Sequence, residues 1–356
     1  MGKFLLFILL IVAAVAAWLW YSINQPYRGF PAEGIFVDVP HGSSSRSVAR
    51  LLERQGVVRS AIAFEFYARR HSRRSLQAGE YFFDSASSAH DVFWKLANGQ
   101  IFEQPFTVRE GETMFDIARD LEDGKFMPAS EFLSAAKDPA LIRDLSPRAA
   151  TLEGFLFPAT YHLSRHPTAV TLTTEMVRKF KEEWSTVTAS NPVEAAASNQ
   201  ADATALTSTG LTSSRPIASI VTLASLVERE TPKAEERPLV AGVFENRLHK
   251  SMPLQCDPTV IYALEQNNSY KGTLTLTDLR IDSPYNTYVH TGLPPGPIGN
   301  PGEASLRAAA QPAKTDYLYF VANTQGGHFF SSTLAEHNNN VIKYRRLLAG
   351  EQAPTR

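Results

Sequence analysis

After Lys3 the chain reads FLLFILLIVAAVAAWLWYSI, and no residue from Phe4 to Ile23 carries a charge. About twenty apolar residues coiled as a helix match the ~30 Å hydrocarbon core of a bilayer. This run constrains the rest, because whatever follows must fold while tethered to a membrane. Trp18, Trp20 and Tyr21 cluster at its far end, where amphipathic rings favour the interface. Lys3 and the terminal amine favour an N-inside orientation. A cleaved signal peptide competes, since Ala14-Val15-Ala16 resembles a cleavage site. The apolar run continues through Trp20 instead of stopping at those small residues. The expectation is an uncleaved, single-pass anchor over residues 1–24, with everything beyond about residue 25 outside the cytoplasm.

The remaining length, out of 356 residues, supports two or three domains with real cores. Thirty-five basic residues balance thirty-six acidic ones, for a net charge of −1. No global field draws the chain to nucleic acid. One basic knot stands out, RRHSRR from Arg69 to Arg74. It reads either as a solvated helix end or as a contact for an anionic polymer or lipid. Cys256 is the only cysteine, so an intrachain disulfide is impossible.

Two stretches repeat when aligned at an offset of sixty-nine, FVDVPHGSSSRSVARLLERQG starting at Phe36 and FTVREGETMFDIARDLEDG starting at Phe106. They share Val39 with Val108, Gly42 with Gly111, Ala49 with Ala118 and Leu52 with Leu121. Each reads as a short strand, a glycine turn and a helix, with apolar positions Val48, Leu51 and Leu52 or Ile117, Ala118 and Leu121. In the second copy Thr113 suits an N-cap, with Asp116 three residues on as its capping-box partner. That copy also resembles a LysM module, whose members bind glycans containing N-acetylglucosamine. Between Ser185 and Arg215 the chain turns to Ala, Ser and Thr without aromatics. Such a composition cannot bury enough apolar surface to order itself, so a flexible insertion at 185–215 is expected. The expected organisation is an anchor at 1–24, an α+β subdomain at 25–104, a LysM-like subdomain at 105–150 and a mixed α+β domain at 151–350.

The stretch RPIASIVTLASLVERETP, Arg215 to Pro232, reads as a helix beginning after Arg215-Pro216 and ending before Thr231-Pro232. Ile217, Ile220, Val221 and Ala224 share one face and Leu223 and Leu226 lie opposite, so the helix is expected to be buried almost all round. Glu228 falls about 20° from the first face, and Glu230 points to the other side. Burial and the carbonyls of a helix C-terminus both penalise an anion, which raises the Glu228 pKa and suits it to general acid chemistry. Position alone leaves a second role open, a structural ion pair with Arg229, Arg237 or Arg247.

Three loops carry unusual side chains. TLEGFLFPATY sets Glu153 in an aromatic run, and PLQCDPTVIY puts Gln255 and Asp257 before a helix, where Asp257 also reads as a plain N-cap. SPYNTYVHTGLPPGPIGNPG joins Tyr285, Asn286, Tyr288 and His290 to a Pro/Gly loop. Aromatic faces beside amides suit a sugar, with its apolar ring faces and hydroxyl edges. No HExxH spacing, phosphate-binding glycine loop or G-x-S-x-G elbow is present. Neither a metal nor a cofactor is expected.

LEGFLFPATY, ASLVERE, GVFENRL, LQCDPTVIY, SPYNTYVHTGLPPGPI and YLYFVAN…GGHFFS, in that order, resemble the YceG-like family of membrane-anchored endolytic murein transglycosylases. The resemblance spans essentially the whole chain; the Ala/Ser/Thr insertion departs from the pattern. It implies cleavage inside peptidoglycan glycan strands, between N-acetylmuramic acid and N-acetylglucosamine, leaving a 1,6-anhydromuramic end. By the ASLVERE motif it assigns the single acid/base role to Glu228. Glu153, Gln255, Asp257, Tyr285, Asn286 and Tyr288 lie in family motifs as candidates for orienting sugar or Glu228. It further implies action on nascent strands at the inner membrane, beside peptidoglycan synthases. Two alternatives compete: a hydrolase using Glu228 as acid with Asp257 or Glu153 as base, and a non-catalytic anchored glycan-binding scaffold.

Overall fold

The structure is a computed structural model describing residues 2–189 and 215–349. It is α+β, with short two-stranded sheets among predominant helices. The chain packs as two units, Met1–Pro105 with His162–Arg165, and Phe106–Tyr161 with His166–Arg356. Most of the expected insertion lies outside the described residues. Its first residues, Ser185 to Ala189, continue a helix instead, and Arg215 pairs with Glu245.

The first unit begins with α1 (Gly2–Asn24), long and apolar enough to cross a membrane. Its last turn is seated in the unit: Ser22 and Ile23 are buried, and Arg59 stacks over the Tyr21 ring. Strands β1 (Ile35–Val39) and β2 (Gly79–Phe83) pair antiparallel, Val37 opposite Tyr81. Helices α2 (Ser45–Arg54), α3 (Ala61–Arg70) and α4 (Ala89–Ala97) are capped by Ser44, Ser60 and Ser88, each accepting a backbone N–H. Their inward stripes, Val48, Leu52, Phe64, Phe93 and Leu96, close on Val37, Val39 and Tyr81. Each such aliphatic or aromatic side chain stabilises the fold by about 1.5–3 kcal/mol.

The repeat is real in three dimensions. Gly42 and Gly111 turn through positive φ, +74° and +81°, which glycine adopts without strain. Ser44 caps α2 and Thr113 caps α5 (Met114–Asp123), the latter with the expected Asp116 capping box. Val48, Ala49 and Leu52 are buried in one copy, and Ile117, Ala118 and Leu121 in the other.

Preceding α5, β3 (Gln104–Thr107) pairs with β4 (Thr160–Leu163). Helices α6 (Ala129–Ala136) and α7 (Ala169–Ala189) lead to α8 (Ile217–Glu230), packed among α9 (Arg237–His249), α10 (Asp257–Gln266) and α11 (Glu303–Ala310). Every residue of α8 from Ile220 to Val227 is buried. β5 (Tyr319–Ala322), β6 (His328–Ser331) and α12 (Leu334–Leu348) complete the second unit.

Candidate active site

The end of the buried helix α8 carries Glu228 and Glu230 into different surroundings. The Glu228 carboxylate is engaged at both oxygens. Arg237 donates from Nη2 to Oε1 at 2.6 Å, and the backbone N–H of Gly302 donates to Oε2 at 2.9 Å. Gly302 is the N-cap of α11, where unpaired N–H groups favour an anion. Burial pushes the Glu228 pKa up; the Gly302 N–H and Arg237 oppose the rise, and nearby Glu110 adds to it. Its side chain is only 4% exposed.

Arg237 also reaches Glu110 Oε2 at 3.3 Å, tying in the turn of the second repeat. That turn packs directly on α8. Gly111 O accepts from Arg229 Nη1, and a Cβ at Gly111 would meet Glu228 Cγ at 3.5 Å. In the first copy the corresponding Gly42 meets nothing within 4 Å. The same local fold serves as a clamp in one copy and stands open in the other.

Glu230, like Glu228, is partly exposed as a whole residue. Burial raises its pKa, with the nearby Asp257 carboxylate adding to the rise and the Cys256 thiol, His328 and Arg247 opposing it. The Gln255–Asp257 loop beside it is held from below. Buried Arg247 donates to the carbonyls of Pro253, Leu254 and Leu318, and Cys256 N donates to Thr287 Oγ1. Gln255 is exposed and takes positive φ, +53°. Asp257 is the first residue of α10, not its cap, and accepts instead from Tyr288 OH. Gln255, Asp257 and Tyr288 therefore gather on the Glu230 side of α8.

Glu153 and Asn286 sit elsewhere, and both are buried. Glu153 accepts from Met114 N, Tyr262 OH and Asn300 Nδ2. Burial pushes its pKa up to about 8 against those donors. Asn300 fills its hydrogen-bonding capacity by accepting from Gly154 N and Leu156 N, and by exchanging bonds with Gly111 and Glu112. Asn286 donates to the carbonyls of Leu279 and Ile281, bracing its own loop. Tyr285, partly buried, packs on Tyr262 at 5.0 Å between ring centroids.

Among the described residues no three His, Cys, Asp or Glu side chains gather as metal ligands. His290 faces Asp282, His328 pairs with Glu236 and His337 stacks on Tyr319. Sequence reasoning missed Gly302 and Asn300, whose GNPG stretch reads only as a turn. It named Arg237 and Arg247 among several possible partners, because helical phase does not say which arginine reaches which carboxylate.

A model of the YceG-like family matches residues 37–343. The chain belongs to the YceG-like family. An endolytic murein transglycosylase of Bacillus subtilis is 32% identical, over 91% of this chain and 88% of that protein. One from Streptococcus pneumoniae is 31% identical, over 96% of this chain and 64% of that protein. A crystal structure of a yceG-like protein from Listeria monocytogenes is similar at a TM-score of 0.55 and 32% identity, covering 87% of this chain and 99% of that one. This YceG-like chain thus shares sequence with proteins named endolytic murein transglycosylase and its fold with a yceG-like protein.

Proposed function

We propose that the chain is an endolytic murein transglycosylase, with a carboxyl at the C-terminal end of α8 as its single acid/base. The protonated carboxyl donates to the glycosidic oxygen between N-acetylmuramic acid and N-acetylglucosamine as oxocarbenium character develops at C1. The resulting carboxylate then takes the proton of the muramic C6 hydroxyl, whose oxygen bonds to C1. The carboxyl is restored and a 1,6-anhydro end is left. No water enters, so no second carboxylate is needed to activate one.

The observation carrying this reading is a raised-pKa carboxyl in a chain of this family, beside exposed polar and aromatic side chains suited to sugar. The ASLVERE motif assigns the role to Glu228, and burial raises its pKa. Both oxygens of Glu228 are bonded, so a glycosidic oxygen reaches it by displacing Arg237 or Gly302. Glu230, on the side of Gln255, Asp257 and Tyr288, is no more open: both residues are partly exposed, and burial raises the pKa of each. Asn300, itself bonded to Glu153, holds the Gly111 turn against the Glu228 end of α8. Single Glu→Gln variants at 228 and 230, assayed on glycan strands, separate the two assignments.

The anchor reading places α1 in the cytoplasmic membrane with its N-terminus inside and both units outside. Confinement near the bilayer suits action on nascent strands beside peptidoglycan synthases, limiting strand length. Protease accessibility in right-side-out and inverted vesicles tests the orientation. Digestion of the folded units only in inverted vesicles would overturn it.

A further inference from the structure

Helix α3 carries its most exposed apolar residues on the face opposite its core. Ala61, Phe64 and Ala68 point inward, while Ile62 is 71% and Phe66 51% exposed. Residues 62, 66, 69, 70 and 73 follow helical spacing along one side, although the helix itself ends at Arg70. Arg69 and Arg70 therefore extend the apolar pair into a basic patch, with Arg73 and Arg74 exposed just beyond. Glu65 engages Arg69 and Arg46. Among the described residues, the side chains of Arg70, Arg73 and Arg74 have no hydrogen-bond or ion-pair partner.

The same unit holds the end of α1. Arg59, two residues before α3, lies over the Tyr21 ring at 4.9 Å. At 1.5 Å per residue, the ten residues of α3 keep this face within roughly 20 Å of the end of the apolar helix. We propose that the outward face of α3 and the following arginines form a second membrane contact, in which Ile62 and Phe66 enter the headgroup boundary and the arginines bind anionic phospholipid. Lipid fits better than a soluble polyanion because the patch joins bare aliphatic and aromatic side chains to its charge. The contact rests on reading α1 as a membrane span, and it would make the anchored unit's attachment two-point.

The test uses the full chain in lipid nanodiscs, with a fluorophore on Ser72→Cys; native Cys256 is buried and stays unlabelled. Headgroup spin-labelled lipid should quench the probe in anionic discs. Quenching should fall about fivefold in zwitterionic discs, in an Arg70/Arg73/Arg74→Gln variant or in Ile62→Ser/Phe66→Ser. These positions are exposed, and circular dichroism checks that each variant folds. Quenching no greater than at a His41→Cys control, or unchanged by all three alterations, overturns the proposal. So does a probe signal that responds to added glycan strands and not to anionic lipid. Release of the chain by alkaline carbonate would instead refute the span, leaving a distinguishable failure.

Discussion

Arg237 Nη2 and Glu228 Oε1 meet at 2.6 Å with side chains only 8% and 4% exposed, joining the start of α9 to the end of α8. Removing one partner of a sealed pair leaves a buried charge uncompensated. Arg237→Ala should therefore lower unfolding free energy by about 3–5 kcal/mol, read from chemical denaturation. Glu228→Gln, which keeps an acceptor for Arg237, should cost less. As the acid/base, Glu228 cannot be replaced by an amide without loss of cleavage, so this variant should fold yet be inactive.

Glu153 sets a pH dependence of stability. Burial raises its carboxyl from 4.5 to about 8, so between those values the folded state keeps a proton that the unfolded state releases. Its contribution is full below about 4.5 and is lost as pH rises through about 8. The melting temperature should fall across that window. Glu153→Gln should flatten that fall, and an unchanged slope would remove Glu153 as its source.

Gly154 turns through φ +85° against the loop that carries Asn300. A Cβ there would lie 2.4 Å from Pro297 Cγ and 2.9 Å from Val221 Cγ1. Left-handed strain and overpacking together should make Gly154→Ala destabilising by about 2–4 kcal/mol. Gly42→Ala, with φ +74° but open surroundings, should lose only the strain, about 1–2 kcal/mol. Equal losses would contradict the packing account.

The limits of sequence reasoning follow from what each pattern encodes. Periodicity fixed the burial of α8 from Ile220 to Val227, and the sequence pattern located the Gly42 and Gly111 turns and the Thr113 cap. These are properties of neighbours in the chain. Phase also separated Glu228 from Glu230, yet it could not rank them as acids. Nor could it name what holds Glu228, which is Arg237 and a backbone N–H from Gly302, seventy-four residues away. Glu153 read as a sugar contact because its aromatic neighbours suit sugar faces; those rings face the core instead.

The raised pKa of Glu228 predicts an alkaline limb in the rate profile. A general acid must be protonated to donate, so kcat/KM should decline as pH rises through a value above that of an ordinary glutamate. Glu110→Gln removes a neighbouring charge that adds to the rise and should move this limb to lower pH. A limb that stays in place would detach it from Glu228.

Mass spectrometry of uncrosslinked glycan strands digested by the parent, Glu228→Gln and Glu230→Gln proteins tests bond, reaction and residue together. The account predicts 1,6-anhydromuramic ends from the parent, loss of cleavage in Glu228→Gln, and the parent's product from Glu230→Gln. Hydrated reducing muramic ends, or undiminished cleavage by Glu228→Gln, would contradict it.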